Sequence, residues 1–381
     1  MIYLDNNATT PLDPAVFEAM TPFLSTHFGN PSSNNKLGRY ARRSLEDARE
    51  RVAQILGAHP TEISFNSGGT EGDNHALLGS TLFHPDSPSP GTILISQVEH
   101  PAIEEPARRA EARGYRINRI PVGPDGCVRI SDFESALETA PDIRLVSLML
   151  ANNETGAIQP VREVSQLCKE RGVPIHTDAV NAVGKMPVRV DNLNIDLLTL
   201  SGHKFHAPKG AGILYRRSTC SLGPLMSGGD QEGTLRPGTE NVAHATGLAV
   251  ALENATKNLS GNIERMKRQC QYLLEQIASI HPSVRPSLSP GPALSNTLSL
   301  LIPGHSSASL VQKLDQKGIA VSAGAACHAE KTVAPSRILI ACGLSETEAS
   351  QTLRISLSRE TTDQELKRAI DGFRSVFLAT C

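Results

Sequence analysis

Short apolar strands that alternate with helical stretches are the feature that most limits how this 381-residue chain can fold. An amphipathic helix is predicted over residues 41–56, with apolar residues at helical spacing. Strands are predicted over residues 62–65, 92–96, 117–120, 145–150, 173–176, 197–200 and 212–215. Alternation of this kind predicts an α/β fold, in which a mostly parallel sheet carries helices on both faces.

The last third of the chain shows a different pattern. Helices are predicted over residues 241–259 and 263–280, and a Pro- and Ser-rich stretch over residues 281–295 interrupts the pattern. The remainder of the chain is typical of a smaller α+β unit. At this length the chain can form two domains.

Composition excludes several classes of protein. The 37 basic and 39 acidic residues nearly balance, which gives no reason to expect a nucleic-acid partner. No apolar run is long enough to span a bilayer, and the first residues lack a signal-like segment, so we expect a cytoplasmic protein with no membrane partner. The seven cysteines are odd in number and form no C-x-x-C pair, so neither a disulfide framework nor a metal site is predicted.

Lys204 and Asp178 each follow a predicted buried strand. Burial disfavours a charged lysine and makes the neutral amine available for Schiff-base chemistry. An amine and a carboxylate at neighbouring strand ends suggest pyridoxal phosphate, with the amine for the aldehyde and the carboxylate for the pyridinium nitrogen. The alternative is two unrelated charges at strand ends.

A glycine-rich segment follows the strand that ends at Phe65. Gly69 and Thr70 lie where the next helix begins, and a helix N-terminus offers free N–H groups to a phosphate. The same residues could instead form a simple turn with Thr70 as the helix cap. His100 also follows a strand, where an imidazole could stack on a flat ring or be a structural residue. Asn153 could bind a ring oxygen or a carboxylate, or simply form a turn.

Three further candidates lie in the second half of the chain. Thr239, in the segment 236–241, is in a possible anion site or a surface turn. Cys327 lies in a loop of small residues before His328, which could help hold a thiolate, although an inert thiol is the other interpretation. Arg354, on an alternating strand, could clamp a carboxylate with its planar guanidinium, or could be an arginine on an exposed edge.

Taken in order, these segments resemble the class V aminotransferase family, and within it the group of cysteine desulfurases and selenocysteine lyases. The resemblance runs nearly from end to end and begins at residues 3–11 and 29–33. It implies the fold of the fold-type I transferases that depend on pyridoxal phosphate (PLP). A large PLP-binding domain would cover residues 15–255. Residues 1–14 and 256–381 would form a small domain that carries the catalytic cysteine loop.

The resemblance also implies residue roles. Lys204 would bond the cofactor, Asp178 would keep the pyridinium protonated, and His100 would stack on the ring and move protons. The phosphate would be held by Gly69, Thr70, Ser201 and His203, with Thr239 supplied by the partner subunit of a homodimer. Asn153 would lie near the ring and the substrate carboxylate, which Arg354 would clamp. Cys327 would take the sulfur of L-cysteine as a persulfide and release L-alanine, for transfer to an acceptor protein.

Two departures bear on the function. Asn181 stands where the family commonly has a glutamine that contacts the ring hydroxyl, one methylene longer. The Cys327-His328 pair and the absence of a histidine after Ser33 look more like selenocysteine lyases, which would act on L-selenocysteine. Taken as a whole, the resemblance nevertheless predicts a PLP-dependent cysteine desulfurase. The alternatives are a selenocysteine lyase, an aminotransferase or other lyase of the same fold, and a catalytically silent binding partner.

Overall fold

The computed structural model describes residues 1–84, 89–323 and 335–378. Its helices are α1 (Pro14–Ser25), α2 (Lys36–Leu56), α3 (Gly69–Gly79), α4 (Pro101–Glu111), α5 (Ile130–Thr139), α6 (Val161–Glu170), α7 (Val190–Leu193), α8 (Val242–Thr256), α9 (Leu259–Ile280), α10 (Ser307–Asp315), α11 (Arg337–Ala341), α12 (Glu346–Ser350) and α13 (Asp363–Leu378). Short 3₁₀ helices cover Pro60–Glu62, Gly202–Lys204 and Gln231–Thr234.

The strands are β1 (Ile2–Tyr3), β2 (Ile63–Asn66), β3 (Thr92–Ser96), β4 (Arg116–Ile120), β5 (Ile143–Ser147), β6 (Ile175–Asp178), β7 (Leu197–Ser201), β8 (Gly212–Arg216), β9 (Arg285–Pro286), β10 (Thr297–Leu301), β11 (Ile319–Ala320) and β12 (Thr352–Ser356). The main sheet has the order β2-β8-β7-β6-β5-β3-β4. Its pairs are parallel except those that β8 makes with β2 and β7. The predicted mostly parallel sheet is confirmed.

Helices cover both faces of this sheet. In β3, Leu94 packs into a core with residues of α2, α5, α6 and α8, whereas Ile93 and Ile95 point to the other face and pack with residues of α3 and α4. All five residues of β3 are therefore buried. A strand covered on both faces has no solvated side, which explains why its three central residues are all apolar rather than alternating with polar ones.

Local signals explain where the helices begin and end. At the start of α2, the side chain of Asn35 accepts a hydrogen bond from the N–H of Gly38 at 2.9 Å. The helix ends at Gly57, which has the left-handed φ of 71° that glycine tolerates best. The apolar face between these caps, which includes Leu45 and Val52, is buried. The predicted helix over residues 41–56 thus begins five residues earlier than the periodicity indicated.

The predicted strand 145–150 differs from the structure. β5 ends at Ser147, and the chain beyond it leaves the regular ladder while its backbone still bonds the neighbouring segment. The N–H of Leu148 donates to His176 O, and that of Leu150 donates to Asp178 O. Apolar content alone did not indicate this end, because the segment stays buried after the regular strand has finished.

A second core lies in the C-terminal part of the chain. Ile2 and Leu4 pack there with residues of α9, α10 and α13, and β1 pairs with β11. A separate antiparallel sheet has the order β12-β10-β9. The domain boundaries 15–255, 1–14 and 256–381 stay a prediction. No helix among the described residues is long and apolar enough to cross a bilayer.

Candidate active site

The carboxyl ends of β6 and β7 meet, as expected of neighbouring parallel strands. Asp178 is the last residue of β6, and Lys204 follows β7 in the 3₁₀ helix Gly202–Lys204. The two residues line one cavity of about 180 Å³ together with His100 of the β3–α4 turn. The sequence pattern that singled out these three residues therefore corresponds to a single site. A larger cleft, of about 460 Å³, lies around Pro174 and Asp196 at the opposite ends of these strands.

The first turn of α3 forms one wall of the cavity. Gly68, with a φ of 142°, precedes the helix, and no side chain caps it. A Cβ atom on Gly69 would lie only 2.8 Å from Val180 Cγ2, so a glycine is what keeps this wall open. The side chain of Glu71 turns back to accept from the N–H of Ser67 at 2.9 Å and from Arg236 Nε at 3.0 Å. These features make the helix N-terminus a cradle suited to an anion.

The amine of Lys204 is held by the N-terminal segment of the chain. Its Nζ donates to the carbonyl oxygen of Asn7 at 2.6 Å and to that of Ala8 at 3.0 Å. These two carbonyl acceptors orient the amine within the cavity. Residues near position 7 are thus part of the site, although in the sequence they carried only the family resemblance.

Asp178 is a buried carboxylate beside two potentially cationic groups. Its Oδ1 accepts from the N–H of Val180 at 2.8 Å. Burial raises the pKa of Asp178, while His100, that hydrogen bond and Lys204 act in the opposite direction. A cationic ring nitrogen placed here would further stabilise the ionised form.

The hydrogen bonding of His100 settles its neutral tautomer. Its Nδ1 accepts from the N–H of Ala102 at 3.1 Å, so in the neutral ring the proton is on Nε2. Burial lowers the pKa of His100, with Asp178 opposing this and Lys204 and Arg337 adding to it. Burial, followed by the charge of Lys204, likewise lowers the pKa of His203 to about 4. The His203 ring is within 3.1 Å of Thr9 Oγ1.

Buried acids behind the cavity were missed in the sequence. Burial raises the pKa of Glu99 to about 8, and burial together with the charge of Asp178 raises that of Asp73 well above its usual value. Asp73 lines the cavity, and its Oδ1 lies 3.6 Å from Nε2 of His176, whose pKa burial lowers to about 3. Little in the sequence indicated their burial, because both acids stand among polar residues, in Glu71-Gly72-Asp73-Asn74 and Gln97-Val98-Glu99-His100.

Asn153 and Arg354 are joined directly. Asn153 lines the cavity, and its carbonyl oxygen accepts from Arg354 Nη1 at 3.0 Å. Arg354 is 1% exposed, and its Nη2 lies 2.6 Å from Asp5 Oδ1. The interpretation of Arg354 as an exposed-edge arginine is therefore wrong. Its guanidinium does not line the cavity of Lys204, so its role as a substrate clamp stays a prediction.

The remaining predicted residues fall into three groups. Gly69, Thr70, Asn181, Ser201 and His203 line the same cavity as Lys204. Thr239 instead lines a separate cavity of about 290 Å³, and its predicted contact with a partner subunit stays a prediction. Cys327 and His328 lie outside the described residues.

The chain on either side of residues 324–334 is attached to the site. Ser322 and Arg354 exchange backbone hydrogen bonds of 3.1 and 2.7 Å. On the other side, Ser336 Oγ donates to Glu154 Oε2, and Arg337 donates to the carbonyl oxygen of Glu99, next to His100. Both attachments therefore connect to residues adjoining the cavity.

The residues present fit pyridoxal phosphate. A glycine wall that a Cβ would fill and a helix N-terminus suit the phosphate. The buried carboxylate of Asp178 suits a ring nitrogen, and the Lys204 amine suits an aldehyde. These groups already lie around one cavity, so none of the residues has to move for them to contact one bound molecule.

Comparison with known proteins agrees with the predicted fold and family. The family model of class V aminotransferases matches residues 2–369, so the chain belongs to this family, whose members depend on pyridoxal phosphate. The cysteine desulfurase IscS of Dictyoglomus turgidum is 40% identical over 97% of this chain and 93% of its own length.

Solved structures give the same result. A NifS-like protein superposes with a TM-score of 0.92 at 34% identity and covers 100% of both chains. A second structure, SspA in complex with cysteine, has a TM-score of 0.83 at 32% identity and covers 95% of this chain and 100% of its own. The predicted family and fold-type I architecture are confirmed.

Proposed function

We propose that this protein is a PLP-dependent cysteine desulfurase that converts L-cysteine to L-alanine and retains the sulfur as a persulfide on Cys327. The observation that carries the proposal is the convergence of Lys204, Asp178 and His100 on one cavity. Two comparisons support it: the relatives are named cysteine desulfurases, and one structural neighbour is a complex with cysteine.

Each cavity residue has a task that its environment suits. Lys204 would provide the amine for the cofactor aldehyde, and Asp178 would keep a proton at the ring nitrogen. When bound, the cofactor would supply an electron sink for charge that develops at the substrate Cα. His100 would stack on the ring, and its Nε2 would be available to move a proton between cofactor and substrate. Gly69, Thr70, Ser201 and His203 would hold the phosphate, and Asn181 would contact the ring hydroxyl.

The sulfur step belongs to Cys327. Its thiolate attacks the substrate sulfur, a sulfur–sulfur bond forms as the substrate Cβ–S bond breaks, and the carbon fragment leaves as L-alanine after protonation. The attachments of Ser322 to Arg354 and of Ser336 to Glu154 support this role, since these two described residues precede and follow the segment with Cys327 and bond residues that adjoin the cavity. Arg354 and Asn153 would bind the substrate carboxylate.

We further propose a cytoplasmic homodimer, in which Thr239 of one subunit completes the phosphate site of the other. An acceptor protein would collect the persulfide sulfur. A catalytically silent protein of this fold would have no need for the buried Asp178 beside a lysine in the same cavity.

Changing Lys204 to alanine tests the cofactor assignment. The wild-type protein should show a visible absorption band, and Lys204→Ala should lose it while still binding free PLP weakly. A colourless wild-type protein that cannot be reconstituted would contradict the assignment.

Changing Cys327 to serine tests the sulfur chemistry. Cys327→Ser should retain the visible band but release no sulfide from L-cysteine in the presence of a thiol reductant. Sulfide release that survives the change would rule out a persulfide on Cys327. Turnover of L-selenocysteine by the wild-type protein and by Cys327→Ser distinguishes a desulfurase from a selenocysteine lyase. A selenocysteine lyase would favour that substrate and depend less on the thiol.

A further inference from the structure

A buried lysine, Lys185, lies beside the site and was not singled out in the sequence. Lys185 is 6% exposed and lies in the segment after β6. Its Nζ donates to Asn181 Oδ1 at 2.6 Å and to Asn7 Oδ1 at 2.9 Å. Lys185 therefore touches one residue that lines the cavity and one whose backbone carbonyl holds Lys204.

These contacts leave Asn181 with one orientation of its amide. Oδ1 accepts from Lys185, and Nδ2 donates to the carbonyl oxygen of Asn152 at 3.1 Å. The flipped amide would place an NH₂ group against the amine and an oxygen against a carbonyl. An amide nitrogen carries two hydrogens, and the bond to Asn152 uses only one. The second is left to donate to a ligand.

Lys185 can hold Asn181 whether or not it is charged. Burial lowers its pKa well below the usual value, and the charges of Lys204 and Arg354 act in the same direction. A neutral amine still has two N–H donors, which match its two amide acceptors. Its hydrogen bonds are thus preserved in either protonation state.

We propose that Lys185 is a positioning residue of the cofactor site: by holding Asn181 Oδ1, it directs the free N–H of Asn181 towards the phenolic oxygen of the bound pyridoxal phosphate. This inference rests on the proposed function, because it needs the cofactor in this cavity. Beyond that function, it assigns to Lys185 the task of fixing the Asn181 side chain, which is one methylene shorter than the family's glutamine.

A double-mutant cycle on the PLP-loaded protein tests the proposal. Lys185→Met and Asn181→Ala should each raise the pH midpoint of the visible band by about one unit, because a ring oxygen without its donor keeps more negative charge and stabilises a nearby proton. Each should also weaken PLP binding by the apoprotein on the order of tenfold. The double variant should show no further change in either quantity.

Asn296→Ala is the matched control. Asn296 Nδ2 donates to the same Asn7 Oδ1 at 3.1 Å, and its other side-chain hydrogen bonds join it to Leu357 and Thr297 rather than to Asn181. This variant should leave the band midpoint unchanged. A shift equal to that of Lys185→Met would mean that Lys185 acts through Asn7 and Lys204, and would overturn the proposal.

Two further outcomes would also overturn it: a Lys185→Met protein with an unshifted midpoint, or a shift that persists in full in the Asn181→Ala background. If Lys185→Met does not give a native circular dichroism spectrum, the cycle is run with Lys185→Gln, whose shorter side chain cannot bridge both amides. A wild-type protein without a band would instead refute the proposed function.

Discussion

Glu99 is fully buried, and its two carboxylate oxygens differ in their hydrogen bonding. Oε1 accepts from Ser96 Oγ at 2.6 Å and from the N–H of Met149 at 3.0 Å, whereas Oε2 has no hydrogen-bond partner among the described residues. The carboxyl group is accordingly more stable in its neutral form, since an unpaired charge inside a protein is costly. Its folded pKa of about 8 lies above the usual value of 4.5.

Glu99→Gln should therefore make stability less dependent on pH. A raised folded pKa contributes stability that is present below pH 4.5 and is lost as the pH rises through about 8. The variant lacks this loss, so its free energy of unfolding relative to wild type should increase by about 4 kcal/mol between pH 4.5 and 8.5. Urea unfolding of both proteins at pH 4.5 and 8.5 measures this difference.

Glu105→Gln is the matched control, on helix α4, which begins two residues after Glu99. The side chain of Glu105 is 61% exposed and pairs with Arg108. A solvated pair contributes little, so the difference between the two pH values should match that of wild type within about 0.5 kcal/mol. An equal pH response in the two glutamine variants would contradict the interpretation of Glu99.

Helix α3 touches both the cavity and the sheet, and glycines mediate the two contacts. Gly69 faces Val180 at the cavity, and Gly72 faces Thr199 of β7, where an added Cβ would lie 2.6 Å from Thr199 Cγ2. Alanine is normally favoured over glycine inside a helix by about 1 kcal/mol. At both positions close contact outweighs that preference.

Gly69→Ala should weaken binding of PLP by the apoprotein on the order of tenfold, because the new methyl group displaces the wall against which the phosphate is held. Gly72→Ala should instead lower the free energy of unfolding by about 1–3 kcal/mol, because the helix must move away from β7. Fluorescence titration with PLP and urea unfolding distinguish the two effects. A Gly69→Ala protein with unchanged affinity would argue against a phosphate at this helix terminus.

At the scale of the whole molecule, the ends of the chain are joined by an ion pair beside the site. Arg354 and Asp5 lie 349 positions apart in the sequence, and the arginine is almost completely buried. The backbone of β12 also accepts this N-terminal segment, because the N–H of Asn6 donates to Ser356 O at 3.2 Å. The pair thus connects residues from both ends of the chain to the carbonyl of Asn153.

Asp5→Asn should lower the free energy of unfolding by roughly 2–4 kcal/mol, because it removes the carboxylate that forms an ion pair with the buried guanidinium. Arg354→Lys should cost a similar amount and in addition raise the KM for L-cysteine at least tenfold, because an ammonium cannot bind a carboxylate through two parallel hydrogen bonds. Urea unfolding measures the loss of stability in both variants, and steady-state kinetics measure the KM effect in Arg354→Lys. An unchanged KM in Arg354→Lys would remove Arg354 from the substrate site.

The parts of the site that could be predicted were those marked by their place in a strand pattern. Lys204, Asp178 and His100 each follow an apolar strand, and parallel strands bring such positions to one edge of a sheet. Lys185 and Asp5 gave no comparable signal, because their partners Asn181, Asn7 and Arg354 are recognisable only once side chains are placed. Burial of Arg354 was also missed, since its strand alternates as an edge strand does.

The sequence by itself determined the α/β class, the family and the residues at the strand ends, because these depend on periodicity and on motifs that are local in the chain. Only the tertiary structure decided which polar groups lose contact with water and which atoms then bind one another. Hydrogen bonds such as those of Lys185 to Asn181 and Asn7 form only when donor and acceptor atoms are placed to within a few tenths of an ångström. Packing of the whole molecule sets such distances, and no pattern along the chain records them.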